Sequence, residues 1–250
     1  MTVLELDHLC MQIGGVHINR DVSVSLEPGE RRALIGPNGA GKTTLMNMAA
    51  GVLRPTSGRV RLAGRDVTRM PVHRRARHGL ARTFQITNLF RAMTVSENLA
   101  IALQARRWHR LDPVRPWSRA GVVWTEVDDL LDRADLAGLR NTPVGSLAYG
   151  DQRRLEIIAA VAQPCSVILL DEPGAGLTSE ETESLLQLVF GLDPELAVLF
   201  IDHDVDLALR LATHVTVLNL GEVVAHGTPD AVRAMPVLSD IYLGGARAER

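Results

Sequence analysis

Lysine is nearly absent from this chain. Of its 27 lysine and arginine side chains, Lys42 alone is a lysine, so the segment around it asks for an explanation. Basic residues show no excess over acidic ones either, since the formal net charge is -2 and the isoelectric point is near 6.4. Proteins that bind nucleic acid usually carry a clear basic excess. Nucleic acid is therefore not an expected partner.

Cysteines and long apolar runs are also scarce. Cys10 and Cys165 lie far apart without metal-ligand spacing, so we expect two free, buried thiols in a reducing compartment. No apolar run approaches the roughly 18 residues that a membrane-spanning helix needs. The segment MTVLELDHLC lacks the basic start and apolar stretch of a secretory signal. We therefore expect a globular cytosolic protein that meets a membrane only through partners.

Short apolar runs predict an α/β fold. Residues 22–26 and 32–36 are β-rich and flanked by turn signals, and the second run leads into a glycine-rich loop. Three continuous apolar runs follow later, at residues 167–171, 197–202 and 215–219. Strands covered by helices on both faces have this composition. The pattern predicts a mainly parallel sheet with flanking helices.

Helices are expected between these strands. Thr94 with Glu97 and Thr178 with Glu181 have the spacing of a capping box at a helix start. The middle of the chain has helical patterns and no clear strand, which predicts a helical subdomain inserted into the core. We predict a single domain over residues 1–250. Its predicted parts are an α/β core over about 1–89 and 164–225, a helical subdomain over about 90–163, and a C-terminal extension over about 226–250.

The segment GPNGAGKTT around the single lysine fits the phosphate-loop pattern G-x-x-x-x-G-K-[ST]. Its glycines let backbone N–H groups approach a phosphate chain, and the helix N-terminus adds a favourable dipole. We expect Lys42 to reach the outer phosphates and Thr43 to place its hydroxyl on Mg²⁺. The predicted nucleotide-binding residues of this loop are Gly36, Pro37, Asn38, Gly39, Ala40, Gly41, Lys42, Thr43 and Thr44.

A second acidic motif, VILLDEP, ends a predicted buried strand with Asp171 and Glu172. Carboxylates at the C-terminal end of a strand lie in the crevice where α/β sheets bind ligands. We expect Asp171 to support Mg²⁺, directly or through water, and Glu172 to polarise an attacking water. The alternative is a pair of solvated acids at a strand end.

Together these motifs resemble those of ATP-binding cassette ATPases, and the resemblance covers nearly the whole chain in the expected order. Gln85 in ARTFQ resembles the glutamine of that family that senses Mg²⁺ and water. The segment LAYGDQRR, residues 147–154, resembles the signature loop, and His203 in FIDHD resembles the switch histidine. ARTFQ, LAYG and the C-terminal segment are most similar to the ATPases of branched-chain amino acid importers, and less closely to those of lipopolysaccharide export.

The resemblance implies a P-loop NTPase core, an antiparallel β subdomain and an inserted helical signature subdomain, with ATP and Mg²⁺ as cofactors. The implied catalytic residues are Glu172, His203 and Gln85, and the implied metal ligands are Thr43, Gln85 and Asp171. Ala148, Tyr149 and Gly150 would contact a γ-phosphate held by the opposite subunit. The implied partners are a second ABC ATPase, identical or not, two integral-membrane permease subunits, and an extracytoplasmic solute-binding protein that acts indirectly. This places the chain on the inner face of the cell membrane.

Several residues depart from the family pattern. Ile13 stands where an aromatic side chain normally stacks on adenine, a loss of about 1 kcal/mol in nucleotide affinity. Ala148 and Tyr149 replace the usual serine and glycine, Asp151 replaces a glutamine, and Thr178 replaces an aspartate. Asp151 either brings a negative charge close to an anion-binding loop or faces solvent. These changes keep open a nucleotide-binding regulatory subunit with weak hydrolysis.

Two further segments allow two interpretations each. The cluster RMPVHRRARHG carries Arg69, Arg74, Arg75 and Arg77, and we prefer a solvated helix to a site for nucleic acid or lipid headgroups. Leu89, Phe90 and Met93 belong either to the core or to a contact with the coupling helices of the membrane subunits.

The leading functional interpretation is an ATPase subunit that powers import of a branched-chain amino acid or a related small solute. A lipopolysaccharide-type exporter ATPase has the same chemistry and another cargo. A soluble ABC protein of ribosomes or DNA usually carries two cassettes or a long coiled coil, and this sequence shows neither.

Overall fold

The structure, a computed structural model, describes residues 1–83, 89–105 and 121–236. Two compact units divide the chain. The first comprises residues 1–82, 165–175 and 193–250, and the second comprises residues 83–164 and 176–192. Within the described ranges, no helix is both long and apolar enough to cross a membrane. The division into core, helical subdomain and C-terminal extension stays a prediction.

A six-stranded sheet forms the centre of the first unit. Its strands are β3 (Arg31–Ile35), β6 (Leu80–Arg82), β7 (Val167–Asp171), β8 (Ala197–Ile201), β9 (His214–Asn219) and β10 (Glu222–Gly227), in the spatial order β10-β9-β3-β8-β7-β6. All neighbours are parallel except β9 and β10, which pair antiparallel. Every residue of β7 and β8 is buried, because these apolar strands are covered on both faces. The predicted mainly parallel sheet is confirmed.

A four-stranded antiparallel sheet completes the strands of the first unit. It contains β1 (Leu4–Ile13), β2 (Val16–Leu26), β4 (Ser57–Leu62) and β5 (Arg65–Asp66), in the order β2-β1-β4-β5. Along β2, buried Val22, Val24 and Leu26 alternate with exposed residues, as expected of a sheet with one face on the core. The antiparallel subdomain implied by the family resemblance is confirmed.

Four helices of the first unit are described, namely α1 (Lys42–Ala50), α2 (Val72–Arg77), α7 (Val205–Leu211) and α8 (Pro229–Arg233). Helix α1 begins directly after the glycine-rich loop. Its buried Leu45 and Met46 share one apolar cluster with Leu6 of the antiparallel sheet and Leu169 of the central sheet. Both sheets therefore support the helix that starts with Lys42.

Arg75 corrects the interpretation of the arginine cluster. Its side chain is fully buried, although Arg69, Arg74 and Arg77 are exposed. The guanidinium donates hydrogen bonds to the carbonyl oxygens of Met48, Ala49, Met70 and Thr68 at 2.6 to 3.0 Å. Carbonyls at a helix C-terminus lack intrahelical partners, and a cation satisfies them well. Arg75 therefore fastens α2 to the end of α1 and is not part of a solvated face.

The described residues of the second unit are mainly helical. Its described helices are α3 (Val95–Ala105), α4 (Gly121–Arg133), α5 (Tyr149–Val161) and α6 (Ser179–Phe190), with short 3₁₀ turns at Ala137–Leu139 and Val144–Ser146. Both predicted capping boxes form: Thr94 with Glu97 starts α3, and Thr178 with Glu181 starts α6. The described part of the middle region is helical, as predicted, whereas the bounds of a helical subdomain stay a prediction.

Both cysteines are free thiols, as predicted, but each is only partly buried, so the expectation of buried thiols is wrong. Cys10 lies where the pairing of β1 with β4 shifts register, which leaves its side chain at an irregular edge of the ladder. Burial raises the pKa of the Cys165 thiol to about 11, so this thiol stays protonated at neutral pH.

Candidate active site

The loop between β3 and α1 is shaped by glycines with positive φ. Gly36, Gly39 and Gly41 have φ angles of 147°, 78° and 93°. Two of them also lie against backbone or side chains that leave no space for a Cβ. A Cβ on Gly36 would lie 2.0 Å from the carbonyl oxygen of Leu218, and one on Gly41 would lie 2.6 Å from Nδ2 of Asn19. Only glycine fits both positions without moving these neighbours.

Lys42 folds back over this loop. Its ammonium donates hydrogen bonds to the carbonyl oxygens of Gly36 at 2.7 Å and Pro37 at 2.9 Å, and its side chain is buried. Within the described ranges it forms no salt bridge, although the charge of Glu172 acts on it. Burial lowers the pKa of Lys42, because desolvation disfavours the charged amine. A buried cation held only by carbonyls is a suitable partner for an anion.

The first turn of α1 is open to such an anion. Its N-cap residue, Gly41, makes no side-chain cap, and no acidic residue lies in the first turn. Thr43 is exposed and Thr44 half-buried, while Asn38 and Gly39 are exposed at the tip of the loop and Ala40 is buried beneath it. Helix N-terminal N–H groups, a lysine and a hydroxyl form a donor set that fits phosphate oxygens. The residues present therefore fit a nucleotide and its magnesium ion.

Asp171, the last residue of β7, is buried and paired. Its Oδ2 lies 3.3 Å from a guanidinium nitrogen of Arg82 at the end of the adjacent strand β6. Arg82 also donates a 2.8 Å hydrogen bond to Oδ1 of Asn47 in α1. Sequence reasoning missed Arg82, whose only signal was a charged residue at the end of the short segment GLAR. The pair links the acidic motif to the helix that begins with Lys42.

Glu172 and His203 meet at the ends of neighbouring strands. Oε1 of Glu172 lies 2.7 Å from Nε2 of His203, which follows β8. Glu172 has φ 48°, an uncommon backbone conformation for a residue with a side chain, and its N–H donates to the Ile201 carbonyl at 2.9 Å. The parallel pairing of β7 with β8 therefore brings together two residues that lie 31 positions apart.

Asp202 supports this end of β8 and was not predicted as part of the site. Its carboxylate accepts hydrogen bonds from the N–H groups of Gly174 at 3.1 Å and Asp204 at 2.9 Å. Burial raises the pKa of Asp202 despite these donors. The available signal was its place directly after a buried strand. Asp202 ties the segment after Glu172 to the segment that carries His203.

In the second unit, the predicted signature residues lie at the start of α5. Ala148 is the N-cap and is exposed, as is Tyr149, while Gly150 is buried. The N–H of Gly150 donates a 3.1 Å hydrogen bond to Oε1 of Glu181. Glu181, which sequence reasoning assigned only to the capping box of α6, therefore also caps α5.

Asp151 faces a cation of its own helix. Its carboxylate accepts a 2.6 Å hydrogen bond from Arg154, one turn further along α5. The acid is thus neither fully solvated nor unpaired, and its charge is partly neutralised at the point where the sequence departs from the family pattern.

Two predicted site residues are not part of the clusters described above, one by its position and one because it is not described. Ile13 lies at the tip of the β1–β2 hairpin with 55% of its surface exposed, beside Val16 at 62%. Gln85, predicted as a catalytic residue and metal ligand, falls outside the described residues.

Comparisons with known proteins agree with this geometry. A sequence model of the family described as ABC transporter matches residues 19–175. The high-affinity branched-chain amino acid transport ATP-binding proteins BraF of Pseudomonas aeruginosa and LivG of Escherichia coli K12 are both 37% identical to the chain, over 98% of it and 98% of their own length. The lipopolysaccharide export system ATP-binding protein LptB of Acidithiobacillus ferridurans is 37% identical over 90% of each chain.

Solved structures of ATP-binding cassettes are similar to this chain as well. A nucleotide-free ATP-binding cassette from an ABC transporter superposes with a TM-score of 0.83 at 26% identity, covering 97% of this chain and 99% of the other. The ADP conformation of another ATP-binding cassette of an ABC transporter gives 0.82 at 27% identity, covering 98% and 99%.

Proposed function

This chain belongs to the ABC transporter family and is an ATP-hydrolysing cassette of that family, and we propose that it powers import of branched-chain amino acids or a related small solute through partner permeases. The observation that carries the nucleotide part is the buried Lys42 ammonium, held by two loop carbonyls at an uncapped helix start. The solute class follows from relatives that match over nearly the full chain.

Nucleotide binding is assigned to the residues of the loop, and metal binding to Thr43, Asp171 and Gln85. The N–H groups from Gly39 to Thr44 and the ammonium of Lys42 would hold phosphate oxygens. Thr43 and Asp171 would hold Mg²⁺ together with Gln85. Protein Mg²⁺ sites commonly use one or two carboxylates and leave other positions to phosphates and water, which agrees with the buried carboxylate of Asp171 in this role. Ile13 would lie against the base with an aliphatic contact in place of aromatic stacking.

Hydrolysis is assigned to Glu172, His203 and Gln85. When bound, ATP supplies the phosphoanhydride bond and Mg²⁺ offsets the charge of its phosphates. Glu172 would accept a proton from the attacking water, which it orients by hydrogen bonding. The 2.7 Å contact between Nε2 of His203 and Oε1 of Glu172 would fix the orientation of the Glu172 side chain. Lys42 would stabilise the charge that develops on the outer phosphates.

Two cassettes are proposed to act together as a homodimer or heterodimer. Ala148, Tyr149 and Gly150 at the start of α5 would contact the γ-phosphate bound by the opposite subunit, because helix N-termini attract anions. The N–H of Gly150 would then exchange the carboxylate of Glu181 for the phosphate. Nucleotide then holds the pair closed and hydrolysis releases it, which gives the two states that transport requires. The solute-binding protein would act from outside the cell, without touching this chain.

Two permease subunits are proposed to hold the cassette at the inner face of the cell membrane. Phe90 supports this, because 54% of its surface is exposed while its backbone N–H and C=O are fixed by the side chain of Asn98 at 2.8 and 3.1 Å. A rigid, exposed aromatic residue is a typical interface anchor. The alternative placement of Phe90 in the core does not agree with its exposure.

The permease contact predicts the effect of one double variant. Replacing Leu89 and Phe90 by alanine should reduce copurification with the permease by about tenfold or more, since an interface anchor carries about 2 kcal/mol. ATP affinity and melting temperature of the isolated chain should stay unchanged. Phe190→Ala, which truncates another aromatic side chain with 50% exposure, is the matched control. Equal copurification of the permease with the wild type, the double variant and Phe190→Ala would overturn the assignment of Leu89 and Phe90 to the permease contact.

The whole proposal is tested by purifying the chain with its membrane partners and measuring ATP hydrolysis with and without candidate solutes. Stimulation by a branched-chain amino acid with its binding protein supports the importer. Copurification with a lipopolysaccharide-type export permease would favour the exporter function of the LptB relative. Nucleotide binding without turnover in the full complex would favour the regulatory subunit, to which Ile13, Asp151 and Thr178 point.

A further inference from the structure

Asn19 is a buried polar residue in an apolar position of β2. Its side chain has no exposed surface, and the next inward-facing residues of the strand are Val22, Val24 and Leu26. Nδ2 donates a 3.2 Å hydrogen bond to the carbonyl oxygen of Gly41. Oδ1 is buried and has no hydrogen-bond partner in the part of the chain that the structure describes. An unpaired buried acceptor disfavours folding, and a leucine of similar size would avoid that cost.

The acceptor of this hydrogen bond does not need Asn19 for its own satisfaction. The carbonyl oxygen of Gly41 already accepts the N–H of Leu45 at 2.9 Å, in the first turn of α1. Loss of the Asn19 amide would therefore leave no unpaired acceptor at Gly41. The stability of the fold therefore explains neither the presence of Asn19 at this position nor its hydrogen bond to Gly41.

The neighbouring carbonyl of the loop is held in the same way. Ala40 accepts a 3.2 Å hydrogen bond from the N–H of Gly221, in the turn between β9 and β10. Two consecutive carbonyls, those of Ala40 and Gly41, are thus anchored by groups outside the phosphate loop. The anchor of the Ala40 carbonyl is a backbone N–H, that of Gly221, whereas the anchor of the Gly41 carbonyl is the side chain of Asn19. Asn19 can therefore be replaced without altering the backbone.

Anchoring a carbonyl also sets the direction of the amide in the same peptide. In a trans peptide the C=O and N–H bonds point to opposite sides of a planar unit. The anchored carbonyls of Ala40 and Gly41 therefore direct the N–H groups of Gly41 and Lys42 away from β2 and the β9–β10 turn, toward the open start of α1. These are the N–H groups that an anion at this helix end would use.

We propose that Asn19 is a positioning residue for the nucleotide, which acts by fixing the Gly41–Lys42 peptide so that its N–H points at the bound phosphates. This rests on the proposed function, because the loop must hold nucleotide for the position to matter. Asn19 itself is fully buried and acts only through Gly41. Nucleotide affinity would then depend on Asn19, although a leucine at this position would favour the stability of the fold more.

The test compares Asn19→Leu with Val24→Ala. Asn19→Leu removes the amide donor and the unpaired acceptor together, so the nucleotide-free melting temperature should stay equal or rise. The Kd and KM for ATP should rise by about fivefold, the effect of losing one modest hydrogen bond, with kcat within about twofold of wild type. Val24→Ala, on the same strand and 5% exposed, should lower the melting temperature and leave the Kd for ATP unchanged. Stability and affinity thus move separately in the two variants.

Hydrogen exchange measured without nucleotide gives a second readout. The amides of Lys42 to Leu45 should exchange faster in Asn19→Leu than in wild type, and Asn19→Val provides the same comparison if the leucine variant folds poorly. Wild-type ATP affinity in Asn19→Leu, or unchanged exchange at these amides, would overturn the inference. Failure of the wild-type chain to bind ATP would instead refute the proposed function, and the exchange data would still decide whether Asn19 orders the loop.

Discussion

At the scale of single residues, Glu172 combines a strained backbone with a fixed side chain. Its φ of 48° costs of the order of 1 kcal/mol for a residue with a Cβ. The conformation is held by the hydrogen bond from its N–H to Ile201 and by the one that its carbonyl accepts from Ala175 at 3.2 Å. In this conformation the carboxylate of Glu172 contacts His203 at 2.7 Å. A backbone held in this way is typical of a residue whose side chain must point in one direction.

Replacing Glu172 by glutamine tests that role. Glu172→Gln should lower turnover by about 10² to 10⁴, because an amide cannot accept the proton of the attacking water. The Kd for ATP should change little, since binding is assigned to the loop, and an ATP-stabilised dimer should accumulate in size-exclusion chromatography. Glu180→Gln removes the same charge from an exposed acid and should hydrolyse ATP at the wild-type rate. Normal turnover in Glu172→Gln would remove Glu172 from the mechanism.

Some residues of the candidate site could be predicted from local sequence patterns, whereas others could not, because their contacts join distant elements. Lys42 lies in a motif whose spacing points to phosphate binding, Asp171 and Glu172 were placed by the end of a predicted strand, and His203 was indicated by the family resemblance. Arg82 contacts Asp171 across 89 positions, and the pairing of strands that creates this contact cannot be read from local composition. The same holds for Asn19, whose partner Gly41 belongs to another element. Such contacts become visible only once the strand order is known.

At the scale of elements, local signals predicted helix starts well and the environment of α2 poorly. Both capping boxes form because all their atoms lie within one turn of chain. Helix α2 has no comparable local signal, since the carbonyls that bind Arg75 come from the end of α1 and from the segment before α2. A cluster of arginines therefore resembled a solvated face although one member is a buried structural residue.

Arg75 predicts a large loss of stability when truncated. Arg75→Met should lower the free energy of unfolding by about 3 kcal/mol or more, because the carbonyls of Met48, Ala49, Met70 and Thr68 would lose a charged donor in a buried site. For a chain of this length that is about 6–12 °C in melting temperature by differential scanning calorimetry. Arg74→Met, a change in an exposed neighbour, should stay within about 0.5 kcal/mol of wild type. Equal melting temperatures for the two variants would show that Arg75 is dispensable.

At the scale of the whole molecule, the positions of continuous apolar runs predicted more of the fold than any single motif. Continuous apolar runs are compatible with strands covered on both faces, and these became β7, β8 and β9 of the central sheet. The edge strand β6 has three residues and no such run, so it was missed. Central strands that are buried on both faces carry a continuous apolar signal of their own, whereas an edge strand of three residues depends on its partner strand for its existence.

The scarcity of lysine is also a property of the whole chain. Arginine presents a planar fork suited to flat bidentate partners, whereas the lysine ammonium is a compact charge that fits between two loop carbonyls. On the surface, arginine serves as well as lysine, so the one lysine persists where the geometry does not accept an arginine. Lys42→Arg should therefore lose most ATPase activity although it keeps the charge.

Because Lys42 and the amino terminus are the only amines of the chain, an amine-reactive acylating reagent labels at most two sites. The amino terminus pairs with Glu27 at a largely exposed position and serves as the internal control. The lowered pKa of Lys42 leaves more of it neutral at a given pH than an ordinary lysine, so its acylation should increase at a lower pH than the usual value near 10.5 suggests. ATP with Mg²⁺ should protect Lys42 and not the terminus, and loss of ATPase activity should follow acylation of Lys42 alone. Equal acylation of Lys42 with and without nucleotide in mass spectrometry, or normal turnover of Lys42→Arg, would mean that its position reflects composition and not phosphate binding.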